Sequence, residues 1–383
     1  MRIAQISPLY ESVPPKLYGG TERVVHFLTE ALVDLGHDVT LFASGDSRTS
    51  AELVAPVPQA LRLIQCLDPI APHYAMMEEV VARAGDFDVL HFHTDYLGYS
   101  LARRQTVPYA TTMHGRLDTP ELEPIFETFA EAPLISISDA QREPHPRANW
   151  QGTVYHGLPL DLYHLVPKAE GYLAFVGRIS REKRVDRAVE IARRLGMPLK
   201  IAAKIDGKDR DYYENEIKPL FADPLVEFIG EIGEADKNAF LGGAAALLFP
   251  IDWPEPFGLV MIEAMACGTP VIAFRCGSVP EVMTDGVSGF VVSSLDEAVP
   301  ATARAIELPR AGVRAYFEER FSAPRMAMDY VAIYEALIEG ARVRRGRGRT
   351  AFGLAAIDSE GGDPDAAHGV DGLGGGEAGA GMD

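Results

Sequence analysis

Cysteine is scarce in this chain: Cys66, Cys267 and Cys276 are too few and too scattered for a disulfide framework. No apolar run reaches the roughly 18 residues that a membrane-spanning helix requires. Positive charge is also in deficit, with a formal net charge of −19. A broad nucleic-acid-binding surface is therefore excluded, because neutralising phosphates requires a basic surface. We expect a cytoplasmic protein without an integral membrane segment or a nucleic-acid partner.

Length and residue pattern indicate two α/β domains. A chain of 383 residues, 47% of them hydrophobic, is longer than one hydrophobic core usually serves. Strand-length apolar runs alternate with helical patterns from Ile3–Ile6 and Thr21–Leu35 onwards, and the alternation restarts at Tyr172–Val176. This β-α-β alternation predicts a doubly wound parallel sheet in each domain.

The expected domain boundaries follow from the same pattern. We assign residues 1–165 to an N-terminal domain, 166–323 to a C-terminal domain and 324–344 to a last helix. Residues 345–383 are rich in Gly, Ala and Asp. We predict that this tail is disordered, because it cannot bury enough apolar surface to offset its ordering entropy.

The stretch Glu255–Glu263 carries the strongest local signal. The glycine at 258 permits close approach of the backbone to a ligand. The amides around Gly258, Leu259 and Val260 stand at the start of a predicted helix, where the helix dipole favours an anion. A diphosphate suits such a site.

The two acids of this stretch are eight residues apart, with Glu255 just before the predicted helix and Glu263 within it. That spacing corresponds to about 12 Å, whereas paired glycosidase carboxylates lie about 5 to 9.5 Å apart. They are therefore poor candidates for a hydrolytic pair. They could instead hold opposite ends of an extended ligand, one the hydroxyls of a sugar and the other a ribose diol. The alternative is an ordinary strand–turn–helix with two surface acids.

Two cations, Arg178 and Lys183, follow the first strand of the second domain. Ligands of open α/β sheets bind at strand ends, and Arg and Lys are a suitable pair for phosphate oxygens. Two solvated cations in a basic loop would give the same pattern. A glycine-rich loop, Gly19-Gly20, precedes the first long helix and offers a second, weaker anion-binding turn.

Histidines close two strands of the first domain. His91 and His93, followed by Asp95, end one strand, and His114 ends the next. His91 and His93 share a strand face, but without a Cys or Glu cluster they make a weak metal site, and we predict none. Histidines at the carboxyl ends of adjacent strands favour a ligand site.

Together these motifs resemble the family-4 glycosyltransferases, retaining enzymes with the GT-B fold, and the resemblance spans nearly all of residues 1–340. The matching motifs are, in chain order, Gly19-Gly20, Thr112–Gly115, Gly177–Lys183 and the E-x7-E pattern Glu255–Glu263. The resemblance implies two Rossmann-like domains that face a central cleft, with the last helix returning to the first domain. It also implies a reaction that needs no metal ion and no cofactor.

The resemblance also implies roles for particular residues. His114 and Glu255 would be catalytic, both against the donor sugar, and Glu263 would hold the ribose. His91, His93 and Asp95 would lie on the acceptor side. The full set of donor-binding residues would be Gly19, Gly20, Arg178, Lys183, Phe257, Gly258, Leu259, Val260 and Glu263.

The reaction implied by the resemblance is the retaining transfer of a hexosyl group from a nucleotide diphosphate sugar, with UDP-glucose favoured. The acceptor would be a hydroxyl group of a small molecule, a glycan or a lipid-linked compound, attacking from the front face. Two alternatives stay open: a nucleotide-sugar epimerase with the GT-B fold, and a catalytically silent module that binds sugar nucleotides.

Overall fold

The computed structural model describes residues 1–16 and 19–357, with side chains described as far as residue 344. Residues 1–338 form one compact unit that contains two β-sheets, and a second unit begins at Glu339. Within the described residues, no helix combines the length and apolarity needed to cross a bilayer.

The first sheet has seven parallel strands in the order β3-β2-β1-β4-β5-β6-β7. Its strands are β1 Arg2–Ile6, β2 Asp38–Phe42, β3 Glu52–Val54, β4 Val89–Phe92, β5 Tyr109–Thr112, β6 Leu134–Ser136 and β7 Trp150–Thr153. The connecting helices are α1 Gly20–Asp34, α2 Ile70–Ala82, α3 Tyr99–Ala102 and α4 Glu123–Thr128. Short 3-10 turns lie at Ala84–Asp86, Asp95–Gly98, Pro120–Leu122 and Ala140–Arg142.

The second sheet has six parallel strands in the order β10-β9-β8-β11-β12-β13. Its strands are β8 Tyr172–Arg178, β9 Leu199–Lys204, β10 Val226–Gly230, β11 Ala244–Phe249, β12 Val271–Phe274 and β13 Gly289–Val292. The helices are α5 Val185–Leu195, α6 Arg210–Tyr212, α7 Glu234–Gly243, α8 Leu259–Ala266, α9 Val279–Val282, α10 Leu295–Ala305, α11 Arg310–Arg320 and α12 Ala323–Ile357. Short 3-10 turns lie at Arg181–Lys183, Gly207–Asp209 and Lys218–Ala222, and a short π-helix lies at Tyr213–Ile217.

Both sheets are doubly wound, as the sequence predicts. Strands of such sheets are apolar along their length because helices cover both faces, and β11 is buried at every residue. The predicted helix Thr21–Leu35 corresponds to Gly20–Asp34. The expected boundary at 165/166 falls between β7, the last strand of the first sheet, and β8, the first strand of the second.

The strand order reverses beside the first strand of each sheet, where β1 lies between β2 and β4 and β8 lies between β9 and β11. Ligands of open parallel sheets bind beyond the carboxyl ends of the strands at such a point. His93 directly follows β4, Arg178 ends β8, and the chain after β11 leads to Glu255. The topology therefore brings the predicted site residues of each domain to one sheet edge.

The last helix packs its first turns against the first sheet. Tyr330 and Tyr334 are fully buried, and their hydroxyls lie 3.1 Å from Thr112 Oγ1 and 2.6 Å from His91 Nδ1. The sequence predicts this helix over 324–344, whereas the structure extends it to Ile357, into the segment predicted to be disordered. No proline interrupts this stretch, and its Arg and Ala residues favour a helix, whereas Gly346, Gly348 and Gly353 oppose one. The rest of the predicted tail, 358–383, lies outside the described residues.

Candidate active site

A cavity of about 370 Å³ opens between the carboxyl edges of the two sheets. All the residues predicted to be catalytic or donor-binding line it. They share the wall with residues that were not predicted from the sequence, and the complete lining is Gly19, Gly20, Thr21, Arg23, His114, Ile137, His156, Val176, Gly177, Arg178, Lys183, Lys237, Phe249, Glu255, Pro256, Phe257, Gly258, Leu259, Val260 and Glu263.

The turn before α8 depends on glycine. Gly258 has φ = +80°, and a Cβ there would lie 2.9 Å from Met261 Cε and 3.1 Å from Phe249 Cζ. Helix α8 begins at the next residue, Leu259, and has no side-chain cap. The first amides of a helix have no intrahelical partner, so this end of α8 presents donors and a positive dipole end to the cavity.

Glu255 is held at the opposite side of that turn. Its carboxylate accepts hydrogen bonds from the Lys183 ammonium and from Trp253 Nε1, the latter at 3.1 Å. The Lys183 Nζ also lies 4.9 Å from the Trp253 ring centroid. Arg178 pairs with Glu182 at 3.1 Å and with Asp206 at 3.4 Å. The predicted phosphate-binding cations are therefore positioned by acidic partners while remaining on the cavity wall.

Glu263 is buried between two cations. Its Oε1 accepts hydrogen bonds from Arg23 Nη1 and Lys237 Nζ, each at 2.8 Å. Burial opposes ionisation, but Lys237 and Arg23 outweigh it and hold the pKa of Glu263 below its ordinary value. Arg23 also pairs with Glu234 at 2.7 Å. Helix α1 of the first domain is thereby connected to α7 and α8 of the second.

Neither Arg23 nor Lys237 was predicted from the sequence. Arg23 does carry a signal, because it lies in the first turn of α1. A cation there opposes the helix dipole, which favours acids at that end. Such a local inconsistency points to a functional or binding role. Lys237 is on a helix of the second domain that no motif marked.

A chain of buried hydrogen bonds fixes the protonation pattern of His114. Gln5 Oε1 accepts from His93 Nε2 at 2.7 Å, which leaves His93 Nδ1 as the acceptor toward His114 Nε2 at 2.8 Å. His114 therefore carries its proton on Nε2. Its Nδ1 is buried and has no hydrogen-bond partner. Desolvation lowers the pKa of His114 to about 3, so the ring is neutral near pH 7.

His91 does not line the cavity. It is fully buried, its Nε2 lies 2.7 Å from Thr112 Oγ1, and its Nδ1 faces the hydroxyl of Tyr334. The expectation that His91 lines the acceptor side is therefore corrected. His91 shares a strand face with His93, but Tyr330 and Tyr334 of the last helix cover it.

A second cavity, of about 380 Å³, adjoins the first through Gly19, Gly20, Thr21 and His114, which line both. His93 and Asp95, predicted on the acceptor side, line this second cavity. Within the described part of the chain, no group of three or more His, Cys, Asp or Glu side chains is arranged to hold a metal ion.

Two doubly wound parallel sheets that face a cleft with their carboxyl edges define a GT-B architecture. The family model for Glycosyl transferases group 1 matches residues 164–319, and that for Glycosyltransferase Family 4 matches residues 18–152. The two matches together span most of the chain. The chain therefore belongs to the family-4 GT-B glycosyltransferases.

Relatives and solved structures agree with this assignment. An uncharacterized glycosyltransferase of Methanocaldococcus jannaschii is 25% identical over 76% of this chain and 85% of its own length. The alpha-maltose-1-phosphate synthase of Mycobacterium tuberculosis is 25% identical over 80% of this chain and 88% of its own. Among solved structures, Anabaena HepE in complex with UDP-glucose has a TM-score of 0.64 at 18% identity, covering 88% of this chain and 99% of its own.

Proposed function

We propose that this enzyme transfers a hexosyl group, with retention of configuration, from UDP-glucose or a similar nucleotide diphosphate sugar to a hydroxyl acceptor. The observation that carries the proposal is the anion site at the start of α8, with Glu255 on one side and the buried Glu263 on the other. In this arrangement the diphosphate meets the helix amides. Glu255 then faces the sugar, and Glu263 faces the ribose.

The charge balance of the cavity supports a metal-independent reaction. Four cations, Arg23, Arg178, Lys183 and Lys237, line it against two carboxylates. Fixed cations and a helix dipole can stabilise the charge that develops on a departing nucleotide diphosphate. A divalent ion is then not required to neutralise that charge.

His114 supports the same assignment as a hydrogen-bonding residue. Its bare Nδ1 can accept a hydrogen bond from a hydroxyl of the bound sugar, and its low pKa excludes a role as a proton donor near pH 7. The acceptor oxygen forms a bond to the sugar C1 as the bond from C1 to the β-phosphate oxygen breaks. The electron pair leaves with the phosphate, which takes the acceptor proton.

UDP-glucose is the donor to test first, because Anabaena HepE, which shares the fold, has been crystallised in complex with that compound. The acceptor stays open among small molecules, glycans and lipid-linked compounds, and a cytoplasmic location stays a prediction.

The experiment is to incubate the purified enzyme with UDP-, GDP- or ADP-glucose, with EDTA present, and a panel of hydroxyl acceptors. We expect nucleotide release that depends on the acceptor and a product with the α-anomeric configuration of the donor by NMR. A β-linked product would refute retention. Conversion of the donor without an acceptor would favour an epimerase, and nucleotide binding without any conversion would favour a silent module.

A further inference from the structure

The second cavity lies on the first-domain side of the cleft, next to the reaction centre of the proposed function. It shares the Gly19-Gly20 turn and His114 with the donor cavity. A ligand in it would therefore lie beside His114, which also lines the donor cavity. The rest of its wall includes Tyr10, Glu22, Arg62, Thr94, Asp95 and Tyr96.

Carboxyl groups line this cavity from two directions. Glu22 of α1 is 6% exposed, and burial raises its pKa. Asp95 follows β4 in a left-handed conformation, with φ = +50°, and this residue is exposed at the cavity wall. A third acid, the buried Glu11, lies beside Glu22 but is paired with Arg62.

Arg62 is the one Arg or Lys among the described residues that line this cavity, and it is already engaged. Its Nη1 pairs with Glu11 Oε1 at 3.0 Å, and its guanidinium lies 5.9 Å from the Tyr10 ring centroid. The histidines supply no positive charge. His73 accepts from the Leu9 amide on Nε2 at 2.9 Å and lies 2.6 Å from the Pro69 carbonyl through Nδ1.

The cavity also offers unfilled hydrogen-bonding positions. Thr94 is 4% exposed and its Oγ1 has no partner, and the Nδ1 of His114 is likewise buried without one. Tyr96 and Ile70, both exposed, form part of the wall together with Tyr10. A hydroxyl group matches Thr94, whereas the Nδ1 of His114 serves the donor sugar in the proposed function. A ring with an apolar face matches the aromatic and aliphatic wall.

We infer that this cavity binds the acceptor, and that the acceptor is a hydroxyl-bearing ring compound that is neutral or positively charged and carries no phosphate group. A phosphate there would face Glu22 and Asp95. Arg62 is already paired with Glu11, and the amides at the start of α1 are already beside the Glu22 carboxylate, which accepts from its own backbone amide. Like charges at close range repel. The adjoining donor cavity is lined by four cations and two acids, and although each of those cations also pairs with an acid, its wall carries more positive groups than this one. This inference rests on the proposed function.

The test uses three acceptors with one carbon skeleton, glucose, glucosamine and glucose 6-phosphate, with UDP-glucose as the donor. We expect kcat/KM for glucose and for glucosamine to exceed that for glucose 6-phosphate by at least about ten-fold, which corresponds to about 1.4 kcal/mol. Asp95→Asn and Glu22→Gln should each reduce this ratio several-fold. Glu121→Gln, at an exposed acid that lines neither cavity, should leave it unchanged.

Binding of UDP, measured by its effect on the melting temperature, distinguishes failure of the acceptor class from failure of the proposed function. If UDP binds but glucose 6-phosphate is the best acceptor, the acceptor class is overturned and the donor site stands. Transfer to none of the three acceptors, or a ratio that neither variant changes, would overturn the acceptor class in the same way. A protein that binds no UDP would overturn the proposed function and this inference with it.

Discussion

Replacing Glu263 with glutamine tests the donor site and the connection between the domains together. The wild-type carboxylate accepts from Arg23 and Lys237, each at 2.8 Å, and its side chain is only 3% exposed. Glutamine keeps the shape of the side chain but removes the negative charge. The variant therefore leaves two largely buried cations facing a neutral amide.

The magnitude follows from what remains around those cations. Removing one partner of a buried ion pair costs about 3–5 kcal/mol when the other is left unpaired. Glu234 stays within 2.7 Å of Arg23 and 3.7 Å of Lys237, so we expect a smaller loss of unfolding free energy, about 2 kcal/mol. At about 2.1 cal/mol/K of unfolding entropy per residue, the unit of residues 1–338 loses about 1.4 °C per kcal/mol, so the melting temperature should fall by about 3 °C.

The assay combines thermal unfolding with calorimetric titration of UDP. We expect Glu263→Gln to bind UDP at least ten-fold more weakly, since a charged acceptor is lost from the ribose position. The matched control, Glu234→Gln, should lower the melting temperature while changing UDP affinity little. Wild-type UDP affinity in Glu263→Gln would refute the ribose assignment.

The same carboxylate predicts a dependence of stability on pH. Its folded-state pKa lies below its ordinary value, so its ion pairs stabilise the fold fully above the ordinary glutamate pKa. That contribution is lost as the pH falls through the lower, folded-state value. The melting temperature of the wild type should therefore fall more steeply in acid than that of Glu263→Gln. Parallel curves would contradict this assignment.

Three further predictions concern other parts of the cleft. Nitrogen-15 NMR should show His114 neutral and protonated on Nε2, and Gln5→Leu should produce a mixture of tautomers; a ring protonated on Nδ1 in the wild type would contradict the hydrogen-bond chain. Gly258→Ala should lower stability by about 1–3 kcal/mol and reduce activity, whereas Gly286→Ala, with a similar φ but no neighbour within 4 Å, should cost less and leave activity intact. Lys183→Met should lower kcat/KM by about 100-fold with UDP-glucose, and an unchanged value would remove it from the diphosphate site.

The fold was predictable because its sheets are parallel and covered on both faces. Buried strands such as Ala244–Phe249 read as unbroken apolar runs, and the helix at Gly20–Asp34 shows a clear apolar face. The turn at Gly258 was predictable for a different reason. A glycine just before a helix indicates a backbone position with positive φ or one that a ligand approaches closely.

The contacts between the domains were not predictable to the same degree. Arg23 and Lys237 reach Glu263 from helices far apart in the sequence, and no local pattern encodes that meeting. The burial of His91 depends on Tyr330 and Tyr334, which lie in the last helix, far along the chain. Tertiary packing of this kind decides which polar residues reach a cavity and which only support its wall.

The binding of UDP to the wild-type enzyme, measured by titration with and without EDTA, tests the central claim most directly. We expect binding with the same affinity in both conditions, because in the proposed donor site cations of the protein and the start of α8 hold the diphosphate. Absence of binding, or binding that requires a divalent ion, would contradict it.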